Sequence, residues 1–175
     1  MLTSALYASC RYRLTEETYS TYQIVDALNY VMREINLALN SVTSSLTTET
    51  ATLTPVAGVA DLPADFESMI SVGSLVSIPT DRTLDSYAYQ IIGNTIQVEG
   101  TTVDIYYRKS FEEYTWDGAV ITPMTIDLPS SFNNMIIDSV VGRTMGQSVS
   151  IQSQALRLIS IRDGKKRDRI PVFTM

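Results

Sequence analysis

The sequence predicts an α+β fold: a long N-terminal helix and C-terminal helices packed together, with an antiparallel β-meander inserted between them. Three observations predict it. Apolar residues recur at helical spacing from Ile24 to Val42. The period drops to two between Leu53 and Tyr114. Helical spacing returns after Asp127. A change of period from 3.6 to 2 and back reads as helix, sheet and helix in chain order.

Residues 4–13 read as a short helix with Leu6, Tyr7 and Cys10 on a small apolar face. Then Ile24, Leu28, Val31, Ile35, Leu39 and Val42 come in steps of three and four. That is one helical face held for several turns, and Ser20 or Thr21 is suited to cap its start. The text SVTSSLTTETATLT loses the period and reads as a linker or a partly stranded segment.

The β insertion is placed at 53–114. ISVGSLVSI alternates, and SYAYQI puts Tyr87, Tyr89 and Ile91 on one side. Gly93-Asn94 is a hairpin dipeptide between apolar runs. VDIYYRK sets Val103, Ile105 and Tyr107 on one face. A strand near Leu53–Val59 precedes them, and Trp116-Asp117-Gly118 reads as a turn. Phe132, Met135, Ile136 and Val140 then define a closing helix that breaks near Gly146. A last helix runs through IQSQALRLISIRD, and Gly164 and Pro171 are expected to end it. This organisation gives one domain over 1–163, helical over 1–45 and 128–163, with an extended arm over 164–175.

One phrase occurs twice. DLPADFESMI begins at Asp61 and DLPSSFNNMI at Asp127. A duplicated module would repeat more than this. A catalytic pair, Asp61 with Asp127, would need the phrases to meet in a cleft that separates their pKa values. The simpler reading is punctuation. Leu62 and Leu128 arrive extended, Pro63 and Pro129 open a helical turn, and Phe66 and Phe132 are buried by it. The helix is expected to stop after one turn in the first copy and to run on in the second. Each Asp is then expected near a helix start, where its charge suits the dipole.

Composition excludes much chemistry. The chain of 175 residues has one cysteine, Cys10, and no histidine. Internal disulfides, histidine-based triads and the usual zinc sets are therefore absent, and Cys10 reads as a buried structural thiol. No apolar run approaches the ~20 residues that span a bilayer, and no signal peptide is read. Gly142-Arg143-Thr144-Met145-Gly146 lacks the lysine of a phosphate loop. Glu16-Glu17 and Glu112-Glu113 read as solvated pairs. Tyr87, Tyr89, Tyr106 and Tyr107 read as sheet packing rather than a base-stacking platform. No catalytic residue, metal or cofactor is assigned.

Charge is uneven: residues 157–175 carry +4 and residues 1–156 carry −10. An acidic body disfavours general nucleic-acid binding. The basic end with apolar anchors reads as an arm for a partner.

TYQIVDALNYVMREINLAL with Asn29, VADLPADFESMISV, SYAYQIIGNTIQVEGTTVDIYYRK and IDLPSSFNNMIIDSVVGRTMG stand in an order that resembles the head-to-tail adaptor (connector) proteins of tailed bacteriophages. The resemblance covers most of residues 20–160. It implies a non-enzymatic virion protein of the neck that forms a homo-oligomeric ring, commonly twelve-fold, beneath the portal protein. Such a ring extends the DNA channel without sequence-specific binding and docks tail or nozzle proteins. It involves no membrane and no cofactor. The resemblance also implies a portal-docking role for the arm, carried by Lys165, Lys166, Arg167, Arg169, Ile170, Val172 and Phe173. The competing readings are a tail-completion or baseplate component, a carboxylate-based cell-wall hydrolase, and a cellular binding module.

Overall fold

The computed structural model describes residues 1–14, 19–42, 44–73 and 89–167, with backbone alone for residues 163–167. The chain divides into two compact units. One comprises Met1–Ser44 with Phe111–Met175, and the other is Ser45–Ser110. Helices and antiparallel sheets both occur, as the α+β prediction requires.

The first unit is helical. Helix α1 spans Thr3–Arg13 and α2 spans Thr21–Ser41. The start of α2 is a reciprocal capping box. The Gln23 backbone N–H donates to Ser20 Oγ at 3.3 Å, and the Ser20 N–H donates to Gln23 Oε1 at 2.7 Å. The predicted face is buried: Ile24, Leu28, Val31, Ile35 and Leu39 are all at most 1% exposed. Val42, the last residue of the pattern, lies just past the helix and is exposed.

After a 3₁₀ turn at Ser130–Phe132, α3 spans Asn133–Thr144 and α4 spans Ile151–Arg167. Helix α2 packs on both, and α1 packs on α3. Ile151, Ala155 and Ile159 recur every four residues and form the buried side of α4, with Leu156 and Leu158 half-buried beside them.

The expected stop at Gly164 is not observed, because α4 continues three residues past it. A helical glycine costs only ~1 kcal/mol relative to alanine, and Lys165, Lys166 and Arg167 are good helix formers whose charge suits a helix C-terminus. The first residues of the predicted extended arm are therefore helical. Arg169, Ile170, Pro171, Val172 and Phe173 lie outside the described residues, as do Glu16, Glu17, Tyr87 and the second half of ISVGSLVSI.

Helix α3 ends in a Schellman arrangement. The Gln147 N–H donates to Gly142 C=O at 2.8 Å and the Gly146 N–H to Arg143 C=O at 3.0 Å, with Gly146 at φ +74°. Gly142 lets the following loop come close: a Cβ there would lie 2.8 Å from Val149 Cγ2.

The second unit holds six described strands: β1 (Thr48–Leu53), β2 (Val59–Asp61), β3 (Phe66–Val72), β4 (Tyr89–Ile92), β5 (Thr95–Val98) and β6 (Val103–Lys109). They do not form the predicted meander. One antiparallel sheet has the order β1-β6-β3 and the other β2-β5-β4. The expected tight hairpin at Gly93-Asn94 does form, joining β4 to β5 with Gly93 at φ +60°. β5 and β6 are neighbours in sequence but belong to different sheets. β6 instead takes the Ser/Thr-rich β1 on one side and β3 on the other.

The alternation in β6 survives intact. Val103, Ile105 and Tyr107 are buried and join Leu53, Leu62, Val72, Ile96 and Val98 in one core cluster. The stranded stretch predicted at Leu53–Val59 is a connection between β1 and β2, turned by Ala57 (φ +52°) and Gly58 (φ +81°).

Candidate functional site

The two repeated phrases share one local bond. Phe66 N–H donates to Pro63 C=O at 3.0 Å, and Phe132 N–H donates to Pro129 C=O at 2.9 Å. Each phrase is thus a proline-opened turn closed three residues later. Leu62 and Leu128 are buried in front of it. Beyond the turn the copies diverge. Phe132 is 1% exposed under α3, as expected. Phe66 instead opens strand β3 and is only half-buried, its ring 5.7 Å from that of Tyr107. No helical turn comes after the first proline, because ESMISV alternates and pairs with β6.

Neither phrase caps a helix with its first Asp. Asp61 sits in β2 opposite Thr95, and no side-chain cap accompanies the 3₁₀ turn after Asp127. Both carboxylates are exposed and lie in different units. Asp61 borders an open cleft of about 360 Å³ in which it is the sole acid among the described residues, so a carboxylate dyad is not assembled there.

The acid that matters in the first phrase is Asp65. Its Oδ1 accepts from Tyr107 Oη at 3.0 Å, and its backbone C=O accepts from the Ser110 N–H at 2.8 Å. Burial raises the Tyr107 pKa well above its ordinary value, and the Asp65 bond and charge add to that rise. Tyr106 points to the other face of β6 and is half-buried, and Tyr89 is exposed on β4. The three described tyrosines of the set therefore do not line up as a stacking platform.

In the helical unit Asn29 makes a two-way bridge. Its Nδ2 donates to Tyr114 C=O at 2.9 Å and its Oδ1 accepts from the Tyr114 N–H at 2.7 Å. The amide thereby satisfies both backbone polar groups of a residue in an irregular segment. Burial pushes the Tyr114 pKa up to about 12, with Asp127 and Glu112 adding to it. Arg33 pairs with Glu113 at 3.0 Å, and both side chains stay largely exposed, as expected of a solvated acid.

Strands β7 (Thr115–Trp116) and β8 (Ile121–Thr122) come next as a small hairpin. Asp117 Oδ1 accepts the N–H groups of Val120 and Ala119 there, at 2.8 Å each, which lowers its pKa. The chain start docks nearby. Leu2 bridges Thr125, and Thr3 Oγ1 donates to Met124 C=O at 3.0 Å. Cys10 is fully buried, and desolvation pushes its thiol up to about 11, partly opposed by Arg13. Such a thiol is not a nucleophile at neutral pH.

Among the described residues no group of acids and thiols could hold a metal ion. No described helix is long and apolar enough to cross a membrane. What the molecule offers is surface, with Tyr12, Tyr22 and Met124 87%, 67% and 66% exposed in the helical unit.

The family model described as SU10 adaptor protein matches residues 1–166, nearly the whole chain. The chain belongs to the SU10 adaptor protein family. Membership marks a phage adaptor-like structural protein of the virion. The match covers α1 and both repeated phrases, and therefore includes the first nineteen residues, to which the apolar pattern alone assigns no role. The sequence matches no curated protein.

Proposed function

We propose that this adaptor forms a ring between the portal protein and the tail of a bacteriophage, extending the DNA channel and docking tail or nozzle proteins. The observation that carries the reading is the adaptor family match across residues 1–166. Two further features support it. Exposed tyrosines on a helical surface are the side chains that protein interfaces favour. The −10 charge of residues 1–156 would let duplex DNA pass without adhering. A ring has closed heterologous contacts, so one face of each copy meets a different face of the next. Twelve-fold order is the expectation taken from the resemblance.

We assign portal docking to the chain end. Lys165, Lys166 and Arg167 lie at the end of α4, and Arg169, Ile170, Val172 and Phe173 come after them in sequence. In this reading they enter the portal, the basic residues steering and the apolar ones anchoring.

Native mass measurement of the protein mixed with its portal protein tests both statements. The expected product is a portal carrying a closed ring of adaptor copies, and a chain ending at Asp163 is expected to lose docking. A full-length chain that binds tail proteins but not portal would overturn the position. A truncated chain with unchanged portal affinity would overturn the arm.

A further inference from the structure

We propose that the cleft beside Arg143 is a receptor for a carboxylate presented by a protein partner. The cleft encloses about 200 Å³ between α2, the end of α3 and the start of α4. Its walls include Tyr30, Arg143, Gln147, Ser148, Val149 and Ile151. That volume is below the ~300–1,000 Å³ of small-molecule and cofactor sites, and it suits one side chain or one chain end.

Arg143 is held ready. Its backbone is fixed by the Schellman end of α3, whose bond from the Gly146 N–H to Arg143 C=O is 3.0 Å. Its guanidinium lies over the Tyr30 ring, 4.1 Å from the centroid. Stacking uses the flat face of the group and leaves its in-plane N–H donors for a planar, two-oxygen acceptor.

Other basic residues with described contacts behave differently. Arg13 pairs with Asp138, Arg33 with Glu113 and Lys109 with Glu49. Arg11 also stacks on a ring, 5.5 Å from the Tyr7 centroid, but its Nε–H is taken by the Tyr7 hydroxyl at 2.9 Å. Arg143 has no acidic partner among the described residues, in a chain with 19 acids and 13 basic residues. Gln147 and Ser148 add polar side chains at the rim. Tyr30, Val149 and Ile151 offer an apolar wall for the methylenes that carry a carboxylate. A carboxylate fits better than a DNA phosphate, because the chain as a whole carries −6 and repels a polyanion. The assignment stands apart from the ring reading: it requires a protein acid, not a particular assembly.

The test is a heteronuclear NMR titration of the ¹⁵N-labelled full chain, following the Arg143 side-chain Nε–H and the Ser148 amide. Three probes are added separately: a short peptide with one internal Glu and an amidated end, its Gln counterpart with a free C-terminal carboxylate, and inorganic phosphate. Saturable shifts with either peptide support the proposal, and the responding one identifies the source of the carboxylate. Arg143→Gln is expected to weaken that binding about tenfold or more, as loss of a charge-assisted bond requires. Tyr30→Phe, which keeps the ring face, is expected to retain it. Shifts with phosphate alone, no saturable shift with either peptide, or unchanged binding in R143Q would each overturn the assignment.

Discussion

Replacing Asn29 by Ala is expected to cost the helical unit about 2–4 kcal/mol. The amide is the partner of both the N–H and the C=O of Tyr114, at 2.7 and 2.9 Å, and Tyr114 is 4% exposed. Truncation removes two hydrogen bonds and leaves two buried backbone groups without that partner. Each orphaned group costs ~1–3 kcal/mol, and the pair shares one site that water can reach once the amide is gone, so the lower half of the summed range applies. Trp116, the single tryptophan, lies two residues beyond the bridge in β7 and reports unfolding there by fluorescence. With a urea slope of ~2 kcal/mol/M, the midpoint is expected to fall by about 1–2 M.

Asn29→Asp sharpens the test. A carboxylate still accepts from the Tyr114 N–H, but its second oxygen faces the Tyr114 carbonyl and repels it. The folded-state pKa of the introduced carboxyl is then raised above its unfolded value. The penalty is therefore present at pH 7, fades as pH falls through the raised folded-state pKa, and is gone near the unfolded value of about 4, where a protonated carboxyl donates again. Asn29→Ala has no such recovery. A midpoint for Asn29→Ala within about 0.2 M of the parent would refute the bridge as a structural tie.

Particular contacts give four further expectations. Gly142→Ala places a methyl 2.8 Å from Val149 Cγ2, so overpacking of ~1–3 kcal/mol outweighs the helix-propensity gain; adding Val149→Ala is expected to restore the thermal midpoint or exceed it. Ala57 holds φ +52° next to Gly58, and Ala57→Gly is expected to stabilise the second unit by up to ~1 kcal/mol in denaturant titration. Cys10 ionises near 9 when unfolded and near 11 when folded, so its contribution is complete below pH 9 and is lost as pH rises through 11; Cys10→Ala should flatten the decline of stability between pH 9 and 11, by ~3 kcal/mol at full effect. Phe132→Ala should cost ~3–5 kcal/mol in urea titration and Phe66→Ala clearly less, because only the former ring is fully buried.

Local signals were legible and distant pairings were not. The α2 face, its Ser20 cap, the Gly93-Asn94 turn and the buried side of β6 are each written within a few neighbouring residues. The partner of β6 is not. Sequence order suggests β5, yet β6 pairs with strands far earlier in the chain, Val103 opposite Leu53 and Tyr107 opposite Met69. Asn29 stood out as a polar residue among apolar steps, but its partner lies 85 positions on. The stacking of Arg143 on Tyr30 depends on α2 and α3 coming together, and no spacing along the chain encodes it. Asp65 could have been noticed as the one charged residue inside the first proline turn, in the place where the second copy has Ser131.

That substitution explains why one phrase yields two structures. Proline and phenylalanine close the same turn in both copies, at 3.0 and 2.9 Å, so the phrase itself specifies only a change of direction. The contacts made beyond the turn decide the outcome. In the first copy Asp65 ties the turn to Tyr107 and Ser110 at the end of β6, which sets Phe66 beside the strand and lets ESMISV pair along it. In the second, Ser131 makes no such described tie, and Met135, Ile136 and Val140 bury a helical face instead. Local propensity alone would allow either continuation after the turn. The ladder that β6 offers selects strand in one place, and the apolar face of α2 selects helix in the other.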